Sequence, residues 1–142
     1  MAATKEITAD LAIVGAGAAG LTAAVAAAEA GVKNVVMLEA RKGVGGNGNF
    51  VLGCFAAESK IQQFHGIECR KDDCFKMLMR YHHWKTNPRL VRSLVDKSGD
   101  TIEWLEKHGV VWGGVLSHFP GQTPRAHHFA VGAATTGTAA PR

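Results

Sequence analysis

A glycine-rich turn between a strand-like and a helix-like segment constrains this chain more than any other feature. Residues 7–14 predict a strand, and the continuous apolar run at 11–14 is typical of a strand buried on both faces of a parallel sheet. The turn follows the pattern Gly-x-Gly-x-x-Gly, with its glycines at Gly15, Gly17 and Gly20. Apolar residues then recur at helical spacing, at Leu21, Ala24, Val25 and Ala28. This order predicts a phosphate-binding turn at a helix N-terminus.

Each glycine of the turn has a separate physical reason. Gly15 permits the tight turn, and Gly20 lets the helix pack close to the strand. Gly17 lets the backbone approach a pyrophosphate, because a Cβ there would collide with it. The helix N-terminus then offers N–H groups and partial positive charge to the phosphates. The alternative, a glycine turn with no ligand, is disfavoured by the strand before the turn and the helix after it.

An acidic residue follows the next strand. The helix is predicted to end at Gly31, and residues 34–38 predict a second strand, which completes a right-handed βαβ unit. Glu39 comes directly after it, 24 residues beyond Gly15. A carboxylate at this position accepts hydrogen bonds from both ribose hydroxyls of an adenosine and repels a 2′-phosphate, which disfavours NADP. The alternative is a solvated surface glutamate.

A second glycine-rich loop follows within a few residues, at 45–53. A nicotinamide cofactor does not need this loop, whereas the isoalloxazine ring of a flavin lies against backbone that comes very close to it. Backbone N–H groups there can bond to the flavin N5. The loop therefore favours FAD and disfavours a NAD-binding domain. An ordinary flexible loop is the alternative.

The rest of the chain predicts helices. They are expected at 56–64, after a cap at Asp72 or Asp73, after Asn87-Pro88, and at 100–107 beyond an interruption at Ser98-Gly99. A short strand is predicted at 110–112. Residues 1–53 would be the dinucleotide-binding unit with the flavin loop, 54–112 mainly helical, and 113–142 an irregular tail. The fold class is α/β, a Rossmann-like βαβ unit followed by a helical segment. Its parallel sheet is incomplete, since two buried strands are not stable alone, and a missing segment or second chain would complete it.

Composition excludes several classes of protein. The formal net charge is +4 with no Lys/Arg run, which argues against a nucleic-acid surface. Cys54, Cys69 and Cys74 contain no Cys-x-x-Cys pair, which argues against a disulfide framework or zinc site and fits a reducing compartment. No apolar run approaches the ~20 residues of a membrane helix, and the first residues lack a signal-peptide core, so we expect a cytoplasmic protein that contacts no membrane.

Histidine pairs at 82–83 and 127–128 are predicted to be surface or packing residues, because adjacent side chains point in different directions and hold a metal poorly. Cys54 is interpreted as a small apolar filler rather than a redox group. An approach of Arg125 and His128 to the flavin or substrate is a weaker alternative to a packing role.

The motifs DLAIVGAGAAGLTAAVAAAEAG, VVMLEARKGVGGN and GCFAAES resemble the FAD-binding domain of the fumarate reductase/succinate dehydrogenase flavoprotein superfamily. The resemblance is good over about 8–60 and looser over 72–112. It implies that pyrophosphate, adenosine and flavin are bound in turn by three groups of residues. These are Gly15, Ala16, Gly17, Ala19 and Gly20; Glu39, Ala40 and Arg41; and Gly45, Gly46, Asn47, Gly48 and Gly53.

Two departures from the family pattern matter. Asn47 stands where membrane-bound members carry the histidine that binds FAD covalently, so the resemblance implies non-covalent FAD. Cys54 stands where many members have a second glycine beside the flavin, which puts the local ring geometry in question.

The resemblance implies part of an oxidoreductase that transfers a hydride between FAD and an activated C–C bond. The catalytic residue is not assigned, because the family's substrate-capping domain has no counterpart in these residues. The alternative is a truncated, non-catalytic dinucleotide-binding or interaction module.

Overall fold

A computed structural model describes residues 6–117 and 121–130. These residues form a mixed α/β fold, as predicted, and the chain divides into two compact units, Met1–Val51 and Leu52–Arg142. The first unit contains β1 (Leu11–Val14), α1 (Ala18–Glu29), β2 (Val35–Leu38) and a short 3₁₀ helix (Gly46–Phe50). The second contains β3 (Gly53–Phe55), α2 (Lys60–Phe64), α3 (Lys71–Tyr81), α4 (Pro88–Lys107), β4 (Trp112–Leu116) and β5 (Ala126–Phe129).

The first unit is the predicted strand–helix–strand arrangement. β1 and β2 pair in parallel, with Leu11 opposite Val35 and Val14 opposite Leu38. α1 connects them and packs against both strands. It ends just before Gly31, whose φ of +86° and N–H bond to the Ala28 carbonyl close the last turn.

The prediction that β1 is buried on both faces is wrong for the described chain. Val14 is 85% exposed and Leu38 is 53% exposed, although both are apolar residues at the ends of paired strands. The physical reason is that a two-stranded parallel sheet with one crossover helix leaves much of its surface uncovered, whereas parallel strands normally have both faces packed.

The second unit contains a sheet that the sequence analysis did not predict. β3, β5 and β4 form a three-stranded antiparallel sheet in that order, with β5 in the centre. Most of β4 and all of β5 lie where an irregular tail was predicted, and that prediction is wrong over residues 113–116 and 126–129. Trp112, the first residue of β4, falls in the short strand that was predicted at 110–112. Residues 118–120 and 131–142 of the predicted tail lie outside the described residues.

Helix boundaries in this unit also differ from the predictions. α2 begins at Lys60 rather than at 56, because Ser59 caps it with a reciprocal capping box to Gln62. α3 begins at Lys71 with Arg70 as its N-cap residue, so the predicted cap at Asp72 or Asp73 is wrong. Both aspartates instead lie in the first turn, where negative charge favours the helix dipole.

α4 is a single helix through Ser98-Gly99, where an interruption was predicted. It begins as predicted, with Asn87 accepting a bond from the Arg89 N–H and Pro88 in the first turn. The Ser98 hydroxyl donates to the Val95 carbonyl at 2.8 Å and accepts from the Ala57 N–H at 3.0 Å. Gly99 provides the clearance, because a Cβ there would lie 2.9 Å from the Ala57 carbonyl oxygen. Ser98 and Gly99 therefore allow α4 to pack against the backbone of residues 57–58, and they do not break the helix.

The core of this unit is small. Ala57, Cys69, Cys74 and Val95 form a buried cluster, and four partly buried apolar residues pack against it. These are Phe55, Ile67, Leu78 and Val91. A substitution that adds or removes a carbon atom here is expected to change the stability of the unit, because protein interiors are close-packed.

We predict that Gly99→Val lowers the free energy of unfolding by about 1–3 kcal/mol, because its side chain overlaps the 57–58 backbone. Ser93→Val is the matched control, since it introduces the same side chain at an exposed position of the same helix. Urea unfolding followed by circular dichroism measures both. Equal effects of the two substitutions would contradict the close helix contact.

Candidate functional site

The first glycine turn is held to the end of β2 by its backbone. The Gly15 N–H donates to the Leu38 carbonyl at 2.7 Å, and Gly15 has a φ of +96° that few other residues adopt. A Cβ on Gly20 would lie 1.9 Å from the Gly15 carbonyl oxygen. The chain's own geometry therefore requires glycine at these two positions, with or without a ligand.

Gly17 is different, because nothing in the chain requires it to be glycine. Its φ of −79° and ψ of −176° suit any residue, and no described heavy atom lies within 4 Å of a Cβ built there. Gly17 is also the N-cap residue of α1, so it brings no side chain to the N–H groups of the first turn. The open space beside an uncapped helix N-terminus is the geometry that a phosphate group needs.

Glu39 is fixed at the end of β2 by two backbone donors. Its Oε2 accepts from the Ala16 N–H at 2.7 Å and its Oε1 accepts from the Arg41 N–H at 2.8 Å. The bond from Arg41 and then the bond from Ala16 lower the pKa of the Glu39 carboxyl. Each carboxylate oxygen keeps a further lone pair, so the group can still accept from hydroxyl donors.

The second glycine loop is joined directly to the first. The Gly45 N–H donates to the Ala16 carbonyl at 2.6 Å, and Gly17 and Gly45 form a parallel bridge. Gly45 and Gly46 have φ values of +102° and +54°, and a Cβ on Gly46 would lie 3.5 Å from the Gly17 Cα. The structure thus brings together the two loops and Glu39, as the sequence analysis expected for one cofactor site.

The remaining residues of the predicted cofactor site differ in burial and in the unit to which they belong. Ala19, Ala40, Arg41 and Asn47 are exposed, and Gly48 is half-buried. Gly53 lies in β3 of the second unit, where a Cβ would be 2.0 Å from the His127 carbonyl oxygen. Packing between β3 and β5 therefore accounts for this glycine, and its predicted approach to the flavin stays a prediction.

Burial changes the acidity of Cys54 and of His127, one of the paired histidines. Burial raises the pKa of the Cys54 thiol, which favours the unreactive protonated form expected of a filler. His127 is fully buried, and burial lowers the pKa of its imidazole. Among residues 6–117 and 121–130, no three His, Cys, Asp or Glu side chains are grouped as a metal site would require.

Sequence reasoning missed four buried or partly buried polar contacts in the second unit. Ser59 Oγ lies 2.6 Å from His127 Nε2, and Gln62 Nε2 donates to the Ala56 and Pro124 carbonyls at 3.0 Å each. Cys69 and Cys74 bring their sulfur atoms within 3.3 Å. The Ser-x-x-Gln pattern at 59–62 is a sequence signal for the capping box between Ser59 and Gln62, whereas no local pattern indicates the pairing of Ser59 with His127.

Comparison with known proteins agrees with this geometry. A family model described as FAD binding domain matches residues 10–141. The chain belongs to the FAD-binding domain family. The prediction of FAD as the cofactor of this fold is confirmed at the level of the family, as is the resemblance to the fumarate reductase/succinate dehydrogenase flavoproteins.

Individual relatives of this FAD-binding domain are reductases. A vinyl phenol reductase of Lactiplantibacillus plantarum is 34% identical over 122 residues, which are 86% of this chain and 24% of the relative. An NADH:fumarate oxidoreductase of Klebsiella pneumoniae is 32% identical over 129 residues, 90% of this chain and 14% of the relative. The chain therefore spans less than a quarter of the length of these relatives.

The fold of this chain is similar to part of a solved structure. The open conformation of a flavocytochrome c3 fumarate reductase is 28% identical and has a TM-score of 0.80. The match covers 89% of this chain and 22% of that one. Among the described residues of the FAD-binding domain, no helix is long and apolar enough to cross a membrane.

We predict that the Glu39 carboxyl titrates below its ordinary value of 4.5, because two N–H groups bind its charged form. A lowered folded-state pKa means that the contribution to stability is present at neutral pH and is lost as the pH falls through that lower value. The Ala16 and Arg41 amide resonances, followed by NMR during acid titration, should shift together with this midpoint. In Glu39→Gln both shifts should vanish, and their persistence would assign them to another group.

Proposed function

We propose that this chain is the FAD-binding part of a flavin-dependent oxidoreductase similar to fumarate reductase, and that it holds FAD without a covalent bond. The observation that carries the proposal is the open backbone cradle at Gly17, to which Glu39 and the Gly45 loop are hydrogen-bonded through Ala16. Bound FAD would supply hydride transfer to or from an activated C–C bond, as is usual for flavins.

The pyrophosphate would lie over the first turn of α1. Gly17 leaves the space, and the N–H groups there provide donors and a partial positive charge for phosphate oxygens. The remaining residues in this role are Gly15, Ala16, Ala19 and Gly20. Gly15 and Gly20 act indirectly, since they set the turn that presents the other backbone groups.

Glu39 would bind the adenosine ribose. Its two carboxylate oxygens are already oriented by the Ala16 and Arg41 N–H groups, so the acceptors are in place before a ligand arrives. A lowered pKa keeps the carboxylate charged at neutral pH, which suits two hydroxyl donors and opposes a 2′-phosphate. Ala40 and Arg41 would flank this end of the cofactor.

The second loop would contact the ribityl chain and flavin. Gly45 and Gly46 place backbone next to Gly17, and the Asn49 carboxamide packs against Gly45. Gly48, Asn47 and Gly53 complete the predicted set. Asn47 carries a carboxamide, which cannot form the covalent flavin bond that a histidine makes. This supports non-covalent attachment.

The reductase relatives support hydride transfer as the reaction of the whole protein. None of the residues described above is assigned a part in that reaction. Site residues on this chain hold a cofactor, and none is proposed as the catalytic acid. The exposed apolar ends of β1 and β2 support a further segment or a second chain that covers the sheet. A cytoplasmic location stays an expectation from the sequence.

Neither this proposal nor the non-catalytic alternative assigns a substrate site to this chain. Because a substrate site is not among the residues assigned, we expect the chain with bound FAD to show little or no fumarate or urocanate reduction by a dithionite-reduced dye. Rapid turnover would instead place substrate-binding groups on this chain.

Gly17→Ala tests the cradle. The methyl group should meet no protein atom, so the free energy of unfolding should stay within about 0.5 kcal/mol of the original. It should occupy the space proposed for the pyrophosphate and weaken FAD binding by at least about tenfold, or 1.4 kcal/mol. Quenching of FAD fluorescence during titration of the full chain measures the affinity.

Gly43→Ala is the matched control for that experiment. Gly43 is exposed, a Cβ there also meets no described atom within 4 Å, and the residue lies outside the proposed cofactor set. Its FAD affinity should equal that of the original chain. If Gly17→Ala binds FAD as tightly as Gly43→Ala, the pyrophosphate does not lie at Gly17.

Non-covalent attachment predicts complete release of the flavin on denaturation. After acid precipitation of the chain loaded with FAD, the yellow colour should remain in the supernatant, and the mass of the protein should be that of the sequence alone. Flavin that stays with the washed precipitate, together with a corresponding increase in protein mass, would contradict this part of the proposal.

A further inference from the structure

Cys69 and Cys74 form a close pair in the second unit. Cys69 lies just before the N-cap residue of α3, and Cys74 lies near the start of that helix. Their sulfur atoms are 3.3 Å apart, which is hydrogen-bond distance for two thiols and about 1.3 Å longer than a disulfide bond. The two residues are only 5% and 4% exposed. A small movement of one sulfur atom would therefore join them.

A cavity of about 190 Å³ lies beside the pair. Its lining includes both cysteines together with Arg70, Met77, Thr123 and Arg125. The cavity gives a small reagent a way to the sulfur atoms although the cysteine side chains themselves are nearly buried. The charges of its two arginines are offset by Glu68 and Asp73, which line the same cavity.

The two thiols have different acidities. The hydrogen bond from Cys74 lowers the pKa of Cys69 to about 7, with smaller contributions from Gln62 and the charge of Arg125. The same contact raises the pKa of Cys74. The thiolate form is therefore favoured at Cys69 and the protonated form at Cys74.

We propose that Cys69 and Cys74 are a redox-active dithiol that closes to a reversible disulfide when it meets a low-molecular-weight disulfide. The Cys69 thiolate attacks one sulfur of the reagent, forms a mixed disulfide and expels the other half as a thiolate. Cys74 then loses its proton and attacks the Cys69 sulfur, which releases the second half. The protein loses two electrons and two protons, and the reagent is reduced to two thiols.

This proposal is independent of the cofactor site. The absence of a Cys-x-x-Cys pattern argued against a disulfide framework, but the four residues between Cys69 and Cys74 include the turn into α3, which returns the chain so that the sulfur atoms meet. The disulfide would fasten the start of α3 to the connection that precedes it.

Peptide mapping tests the proposal directly. The full chain, without added FAD, is incubated with glutathione disulfide, its remaining thiols are alkylated, and it is digested with trypsin without reduction. Trypsin cleaves after Arg70 and Lys71, between the two cysteines, so a disulfide would join peptides 61–70 and 72–76. We expect this linked pair, two hydrogen atoms lighter than the sum of its parts, and its disappearance after dithiothreitol.

Two variants assign the roles. Cys74→Ser should retain glutathione on Cys69 as a stable mixed disulfide, because the resolving thiol is gone. Cys54→Ala is the control and should give the same yield of linked peptide as the original chain. Cysteines 69 and 74 that remain alkylatable in the original chain, or that carry separate glutathione groups, would overturn the proposal whatever the variants do.

Discussion

The peptide groups around Ala16 hold the first unit together. The Ala16 N–H is bonded to Glu39 at the end of β2, and its carbonyl accepts from Gly45 of the second loop. Ala16 is completely buried, so losing either partner would leave a backbone group unsatisfied at a cost of about 1–3 kcal/mol. These two bonds therefore fix the backbone of Gly15 and Gly17, the glycines on either side of Ala16. The proposed cofactor cradle is thus held in place by backbone hydrogen bonds on both sides of Ala16.

This arrangement separates the glycines by function. Gly15 and Gly20 are required by the turn and by the close approach of α1, and they would be required without any ligand. Gly17 faces open space in an ordinary backbone conformation. It is therefore the position at which a side chain would harm binding more than folding, and it connects the fold most directly to the proposed function.

The second unit depends on a different kind of interaction. Ser59 caps α2 and also contacts His127 of β5, while Ser98 of α4 accepts from the Ala57 N–H. These side chains are buried, and their hydrogen bonds join segments that are far apart in the sequence. A small apolar core is supplemented in this way by buried polar contacts between segments that are distant in the sequence.

Local signals made much of the first unit, and the start of one helix in the second, predictable. The apolar strands, the helix between them and the cap at Asn87 each depend on a few adjacent residues, and all three were predicted from the sequence. The β3–β5–β4 sheet was missed because its pairing is non-local and because Gly113 and Gly114 weaken the strand signal of β4. Ser98-Gly99 was misinterpreted because a helix contact, which no local pattern shows, explains both residues. The Cys69–Cys74 pair was missed because no sequence pattern shows that the turn into α3 brings the two sulfur atoms together.

We infer that the backbone around Ala16 and the carboxylate of Glu39 recognise the dinucleotide end of FAD. Calorimetric titration of the full, folded chain with FAD and with FMN tests this claim, because FMN has the flavin but lacks the adenosine and the pyrophosphate link. We expect one FAD site and binding of FMN at least about tenfold weaker, a difference of about 1.4 kcal/mol or more. Equal affinities, or a folded chain that binds neither compound, would contradict it.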